Sequence, residues 1–305
     1  MNIIKIHNSY ILYRKSYGII NDYYLYLVEL IQQFLKGNSH ISVNINITNG
    51  YNYNFNNFNK LINIGINYEH ILVLPGGRDI TPETKYGNVK YNEEINYLIR
   101  IDNYNNLHKN DIIIDYSMPN IINVRSNNTY NSFSKKHNYI APMLYIPSFS
   151  KENRTISTLT TFININEPRR LELLTNINNM KIEHINVRDC FDKNDLQCLY
   201  QKTKILINIH QTEHHHTFEE LRCLPALLCG VIIISEISPL KEQIPYHNMI
   251  IWCDYKDILS KTKEVMNNYD YYYNLIFNKN NNITELIDLN SNNINALLLS
   301  NIRTE

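Results

Sequence analysis

Two adjacent arginines, Arg169 and Arg170, stand at the start of a predicted helix, directly after a predicted strand and Pro168. A helix N-terminus carries partial positive charge and free N–H groups, so cationic side chains are unfavourable there unless an anion is bound. A guanidinium group offers a planar pair of donors that suits a phosphate and stabilises charge on a leaving nucleoside diphosphate. The arginines therefore predict a pyrophosphate site, and the alternative is a solvated pair in ion pairs with Glu167 or Glu172.

A histidine-rich segment follows another predicted strand. His210 stands at the strand end, and His214, His215 and His216 follow in the loop. A strand-end histidine is expected to face the crevice beyond the sheet, which favours His210 for contact with a ligand. Consecutive histidines in a loop rarely converge on one zinc ion, so we predict no metal site and interpret the other three as an exposed polar loop.

The helix predicted over residues 218–228 begins with side chains that could organise a site. Thr217 is predicted to cap this helix, with Glu220 completing a capping box. Glu219 and Arg222 lie three residues apart on one helical face, where they either organise the site or form a surface ion pair.

The buried strand predicted over residues 231–235 delivers Ser235 and Glu236 to the same crevice. A carboxylate at a strand end can accept two hydrogen bonds from a ribose diol, as acidic residues do in dinucleotide folds. The alternative for Glu236 is a helix-capping or loop glutamate.

Apolar periodicity predicts the α/β elements that must position these residues. In the first half it predicts a helix over 21–35 and strands over 3–6, 41–47, 71–74, 97–101, 111–115 and 139–144. In the second half it predicts strands over 156–165, 182–186, 205–209, 231–235 and 249–253, and helices over 168–178, 193–201, 218–228 and 256–267. A last helix is expected over 283–302, and the polar segment 145–155 is the predicted linker.

Composition limits the class of protein. With 305 residues, two α/β lobes are expected, with boundaries 1–150 and 151–282, and with the helix at 283–305 packing back on the first lobe. Lys+Arg 29 against Asp+Glu 29 leaves no cationic field for nucleic acid. Five cysteines without a CxxC pair indicate a reducing compartment. No apolar run approaches the roughly 20 residues that span a bilayer, so a cytoplasmic protein is expected.

An excess of tyrosine, 24 against 8 glycines, together with asparagine-rich runs indicates codon drift in an AT-rich genome. Such drift is typical of a protozoan parasite or a large DNA virus, in which case the protein is expected in the host cytoplasm.

Four blocks occur in order at the predicted strand ends: FININEPRR at 162–170, KILINIH at 204–210, ELRCLPALLCG at 220–230 after Glu219, and VIIISE at 231–236. Together they resemble the donor lobe of GT-B glycosyltransferases of the group 1 type, in the short variant found in giant viruses and bacteria. The resemblance covers about half of the chain. It implies two Rossmann-like lobes facing a cleft.

The resemblance also implies roles for the residues above. Arg169 and Arg170 would contact the diphosphate of a UDP- or GDP-sugar, Thr217 and Phe218 would offer amides to it, and Ser235 and Glu236 would hold the ribose. Glu219 and Arg222 would organise the site, with Glu219 and His210 near the chemistry. The implied reaction moves a hexosyl unit to a hydroxyl of a glycan, glycolipid or glycoprotein, with no metal and no further cofactor.

One departure from the family concerns stereochemistry. Many retaining relatives carry two glutamates eight positions apart, and Thr217 and Pro225 occupy the corresponding positions here. A catalytically silent GT-B binding module is therefore an alternative. A Rossmann oxidoreductase or epimerase is the other, although no GxGxxG follows any predicted strand. The neutral charge balance argues against glucosylation of DNA.

The first lobe would bind the acceptor. Asp115 ends the predicted strand 111–115, and the segment 115–124 is our first choice for acceptor contacts. Asp115 is either a base that deprotonates the acceptor hydroxyl in an inverting reaction or a structural carboxylate. A second candidate is the segment 74–78 (LPGGR), whose glycines allow close approach of the backbone.

Overall fold

A computed structural model describes residues 1–48, 55, 59–69, 71–76, 85–91, 95–278 and 282–303. The chain divides into two compact units. The first unit comprises Met1–Pro142 and Ile287–Glu305, and the second comprises Met143–Leu286. The placement of two lobes about a cleft stays a prediction.

The described part of the first unit contains nine strands and four α-helices before residue 142. The strands are β1 (Asn2–Ile6), β2 (Ser9–Tyr13), β3 (Val43–Ile47), β4 (Lys60–Asn67), β5 (Leu72–Val73), β6 (Lys85–Tyr91), β7 (Ile95–Ile101), β8 (Ile112–Asp115) and β9 (His137–Tyr139). The helices are α1 (Gly18–Gly37), α2 (Tyr104–His108), α3 (Met118–Arg125) and α4 (Asn131–Ser134).

Six of these strands form one sheet in the order β1-β2-β3-β4-β8-β9. The first two are an antiparallel hairpin, and the remaining neighbours pair in parallel. Because the strand order follows the chain order, the described strands of this sheet contain no reversal, unlike those of a doubly wound Rossmann sheet. The strands β5, β7 and β6 form a separate antiparallel sheet, which the predicted βαβ rhythm does not include.

The second unit alternates strands with helices. Its strands are β10 (Ile156–Thr160), β11 (Ile185–Asn186), β12 (Thr203–Asn208), β13 (Ile232–Glu236) and β14 (Ile250–Cys253). Its helices are α5 (Pro168–Asn179), α6 (Lys193–Gln201), α7 (Glu220–Leu228), α8 (Ile258–Asn267) and α9 (Tyr269–Phe277). The last helix of the chain, α10 (Asn282–Arg303), begins in the second unit and continues into the first.

The five strands of the second unit form a fully parallel sheet in the order β11-β10-β12-β13-β14. The central strands are fully buried isoleucine-rich runs, such as Ile232, Ile233 and Ile234, as parallel strands covered on both faces require. The order reverses at β10, which makes the sheet doubly wound. The predicted α/β class, with parallel sheets and helices, is confirmed.

Local sequence signals explain several helix boundaries. The Asp192 carboxylate accepts hydrogen bonds from the Asn194 and Asp195 amides, at 2.8 and 3.1 Å, and so caps α6. Pro168 occupies the first turn of α5, where its missing N–H removes no helical bond.

The predicted start of α7 is wrong. The helix begins at Glu220 and not at residue 218, with Glu219 in the N-cap position and no side-chain cap bond. Thr217 therefore does not cap the helix, and no capping box forms. The carboxylate of Glu220 is buried and instead accepts a hydrogen bond from the Tyr246 hydroxyl at 2.9 Å.

Arg154 connects the ends of two helices in the second unit. Its buried guanidinium group donates to the carbonyl oxygens of Ser150 (2.8 Å), Tyr200 (3.3 Å), Thr203 and Cys229 (2.7 Å). Gly230 follows α7 with φ of +74°, and a Cβ there would lie 2.5 Å from Nη2 of Arg154. Glycine is thus required both by the backbone angle and by this side chain.

Helix α10 joins the first unit through an asparagine. The buried Asn290 side chain accepts from the Ala141 amide at 2.9 Å and donates to the Ala141 carbonyl and the Tyr26 hydroxyl, each at 2.8 Å. The side-chain amide of Asn290 therefore pairs with both backbone groups of Ala141, as the backbone of a neighbouring strand would. Among the helices of the described residues, none is long and apolar enough to cross a membrane.

Candidate functional site

The doubly wound sheet defines where a ligand would bind in the second unit. In open parallel sheets, ligands collect beyond the carboxyl ends of the strands, at the point where the strand order reverses. Here that point lies between β10 and β12. Arg169 lies in the first turn of α5 after β10, His210 follows β12, and Glu236 is the last residue of β13, so the structure brings these three predicted site residues to one edge of one sheet.

Arg169 and Glu236 form an ion pair at this edge. Nη2 of Arg169 donates to Oε1 of Glu236 at 2.6 Å, and the two side chains are only 13% and 12% exposed. The Arg169 guanidinium carbon also lies 4.3 Å from the ring centroid of Tyr255. The Tyr255 hydroxyl donates to the Arg169 carbonyl at 2.9 Å. Arg169 is thus held by a carboxylate and by an aromatic ring.

Tyr255 is protonated under physiological conditions. Burial, and then its hydrogen bond to Glu172 at 3.1 Å, raise its pKa to about 12. Since the hydroxyl keeps its single proton, it can donate to the Arg169 carbonyl or to the Glu172 carboxylate across the neutral pH range.

His210 fixes the other oxygen of the Glu236 carboxylate. The His210 amide donates to Oε2 at 3.0 Å, and the imidazole Nδ1 lies 3.6 Å from the same oxygen. Its Nε2 lies 2.9 Å from the Ser238 hydroxyl. The His216 ring packs against the His210 ring at 4.8 Å, and burial lowers the pKa of His216, so this ring is neutral at pH 7.

Arg170 faces a different set of groups. Its side chain is buried, its guanidinium carbon lies 4.7 Å from the Phe162 ring centroid, and Nη1 donates to the Asn164 carbonyl at 3.3 Å. Within the described residues, its buried Nε has no hydrogen-bond partner. Burial, and then the nearby charge of Arg222, lower the pKa of Arg170 to about 10, so the group stays charged at pH 7.

Arg222 connects to Glu236 through a short polar chain. Nη1 of Arg222 donates to Oδ1 of Asn208 at 3.0 Å, and Nδ2 of Asn208 donates to the Ser235 hydroxyl at 3.0 Å. That hydroxyl donates to the Glu236 carbonyl at 3.1 Å. Ser235 is fully buried, and in this structure its hydroxyl forms hydrogen bonds to protein groups.

The residues before α7 are mostly enclosed. Thr217 and Phe218 are buried, and the Phe218 ring lies 4.9 Å from the Trp252 ring. Glu219 is half-buried and close enough to Arg170 to oppose the lowering of its pKa. The contribution of the Thr217 and Phe218 amides to anion binding stays a prediction.

The interpretation of His214, His215 and His216 as an exposed loop is wrong. His215 is buried, with its Nδ1 2.8 Å from the Thr212 hydroxyl, and the other two are half-buried. The loop folds back on itself because Thr212 also accepts from the His214 amide at 3.1 Å. The described residues contain no group of three or more side chains placed to hold a metal ion.

Asp115 lies at the carboxyl end of β8 in the first unit, and its carboxylate is fully buried. It accepts from Asn67 (2.6 Å), from Asn120 (3.1 Å) and from the Ser117 amide (2.9 Å), and Nε2 of the buried His137 lies 2.9 Å from Oδ2. These bonds favour the structural carboxylate over the base, and the role of base stays a prediction. Of the second acceptor candidate, residues 77 and 78 lie outside the described residues.

Sequence reasoning missed several residues that complete the site. Phe162 and Asn208 lie inside the blocks FININEPRR and KILINIH, so an aromatic ring and an amide next to the arginines could have been noticed. Tyr255 lies far from the arginines in sequence, and no local pattern indicates that its ring packs on Arg169.

The fold and site define an α/β protein with a doubly wound parallel sheet and a cluster of charged side chains at its switch point. The chain is 31% identical to the uncharacterized protein R358 of Acanthamoeba polyphaga mimivirus over 238 residues, which make up 74% of this chain and 79% of that protein. The chain belongs to the same family as this viral protein. No family model matches the sequence.

TarM is a distant match among solved structures. The crystal structure of TarM matches 90% of this chain with a TM-score of 0.45 and 11% sequence identity. The chain spans 58% of the length of TarM.

Proposed function

We propose that the protein is a GT-B glycosyltransferase that moves a hexosyl unit from a nucleoside diphosphate sugar to a hydroxyl of a glycan, glycolipid or glycoprotein. The observation that carries the proposal is the Arg169–Glu236 ion pair at the carboxyl edge of a doubly wound sheet. This is the place where nucleotide ligands bind in such sheets. The order of the four sequence blocks supports the same assignment.

Glu236 has the free capacity that a ribose diol needs. A carboxylate offers about four acceptor positions, two on each oxygen. Arg169 uses one on Oε1 and the His210 amide uses one on Oε2, at 2.6 and 3.0 Å. One position on each oxygen is left for a pair of neighbouring hydroxyl groups.

The leaving diphosphate needs positive charge, and the crevice supplies it. The N-terminus of the twelve-residue helix α5 carries partial positive charge, and Arg170 lies in its first turn. Preorganised donors of this kind stabilise negative charge that develops in a transition state. The proposed reaction uses neither a metal nor a further cofactor, and His210 and Glu219 are the side chains of this unit that we assign to the chemistry.

The direct test is calorimetric titration with UDP and with GDP, comparing the protein with Glu236→Ala. We expect at least one of the two nucleotides to bind, and the substitution to weaken binding about tenfold or more because hydrogen bonds to a charged group are lost. Glu242→Ala is the matched control, since its side chain is 66% exposed and its ion-pair partner is Lys241, at 3.8 Å, and not a residue of the site. Failure of UDP, GDP, CDP and ADP to bind at all would refute the assignment.

A catalytically silent module of the same fold is the second candidate. Thr217 and Pro225 stand where many retaining enzymes have two glutamates, which favours this candidate. Release of UDP or GDP from the corresponding sugar nucleotide separates the two. Without its acceptor, an enzyme slowly hydrolyses the donor because water takes the sugar, whereas a silent module binds the donor and leaves it intact.

A further inference from the structure

Adjacent residues on a helix point in different directions. Successive positions of an α-helix differ by about 100°, so neighbouring side chains do not share a face. Arg169 and Arg170 are adjacent in the first turn of α5. Their contacts confirm the divergence: Arg169 reaches Glu236 and Tyr255, whereas Arg170 reaches Phe162 and the Asn164 carbonyl.

The charge of Arg169 is already compensated. Its guanidinium group is paired with Glu236 at 2.6 Å, and its own carbonyl is fixed by Tyr255. A phosphate that approached Arg169 would also approach the Glu236 carboxylate, which repels it. Arg169 is therefore better suited to orient Glu236 than to hold a diphosphate.

The charges of Arg170 and Arg222 meet at one aromatic ring. Their guanidinium carbons lie 4.7 and 5.9 Å from the Phe162 centroid. Glu167 and Glu219 offset part of this charge, although Glu167 is itself held by Nδ2 of Asn164 at 3.0 Å. The buried Nε of Arg170 still lacks an acceptor among the described residues, which is costly unless a ligand supplies one.

We propose that the arginines of this site divide the donor between them: Arg170 and Arg222, with the first turn of α5, hold the diphosphate, and Arg169 is a positioning residue that orients Glu236 toward the ribose. This division rests on the proposed function. It assigns anion binding to Arg222, whose guanidinium group donates to Oδ1 of Asn208 at 3.0 Å and lies 5.9 Å from the Phe162 ring centroid.

The experiment separates the two halves of the ligand. Calorimetric titrations with UDP, uridine and inorganic pyrophosphate, and in parallel with GDP and guanosine, are compared for the protein and for Arg222→Gln, Arg169→Gln and Arg169→Lys. Arg188→Gln is the matched control, because Arg188 is exposed in the same unit. Thermal melting of each variant checks that it is folded.

We expect Arg222→Gln to weaken UDP or GDP and pyrophosphate about tenfold, with unchanged binding of the nucleoside. Arg169→Gln is expected to weaken the nucleotide and the nucleoside by the same factor, with unchanged binding of pyrophosphate, and Arg169→Lys to restore part of the loss because it keeps the charge.

Two results would overturn the inference, and they differ from each other. If nucleotides bind but Arg169→Gln weakens pyrophosphate while Arg222→Gln does not, the division is wrong and the proposed function stands. If the unsubstituted protein binds none of UDP, GDP, CDP and ADP, the proposed function fails and the division fails with it.

Discussion

The strength of the Arg169–Glu236 ion pair can be measured with a double-mutant cycle. The perturbations are Arg169→Gln, Glu236→Gln and the two together. At an effective dielectric constant of about 20, two unit charges 4 Å apart interact by about 4 kcal/mol. Loss of hydration and of side-chain freedom offsets part of this energy. The two side chains are only 13% and 12% exposed, and their charged atoms lie 2.6 Å apart. We therefore expect a coupling free energy of roughly 1–3 kcal/mol.

The single tryptophan of the chain makes the assay specific to the second unit. Trp252 packs against Phe218 at 4.9 Å, so its fluorescence during urea unfolding reports on this unit. The control cycle uses Lys261 and Glu264, which are also paired at 2.6 Å but are 31% and 45% exposed. Solvent screens that pair, and we expect a much weaker coupling. A coupling below about 0.5 kcal/mol for Arg169 and Glu236, equal to that of an exposed pair, would refute the pairing.

Two further predictions concern the second unit. Arg154→Met should lower the free energy of unfolding by roughly 3–5 kcal/mol, because four carbonyl oxygens, three of them in buried hydrogen bonds, lose a charged donor. Arg154→Lys should recover part of this loss, and equal stability of all three proteins by Trp252 fluorescence would contradict the role of Arg154 in connecting the two helix ends. Alkylation at pH 8 followed by mass spectrometry should modify the exposed Cys198 first and leave Cys229 and Cys253 protected, since burial raises their pKa to about 12 and about 11; early modification of Cys229 would contradict this.

Much of the second unit could be predicted from the sequence because its signals are local. The helix α6 is predicted from its apolar periodicity at its observed bounds, and the Asp192 cap explains where it begins. The start of α7 could not be predicted in this way. A threonine followed three residues later by a glutamate satisfies the capping pattern, but Glu220 is drawn into a buried hydrogen bond with Tyr246, which is distant in sequence.

The first unit is less predictable because its strands depend on distant partners. The polar strand β6 (Lys85–Tyr91) has no apolar run and is stabilised by antiparallel pairing along the whole of β7. In the candidate site, the predicted strand ends and helix starts indicated which segments carry the site residues. The direction of each arginine was not predictable, because it depends on whether Phe162 or Tyr255 lies beside it.

The bond between Asn290 and Ala141 has a consequence for biosynthesis. Residues on both sides of this bond belong to the first unit, whereas the whole second unit lies between them in the chain. A ribosome therefore releases every residue of the second unit before Asn290 emerges, so the later part of the polypeptide can fold first. Until then the amide and the carbonyl of Ala141 lack their Asn290 partner. The sheet of the first unit, which is synthesised first, is therefore completed only when the last helix is made.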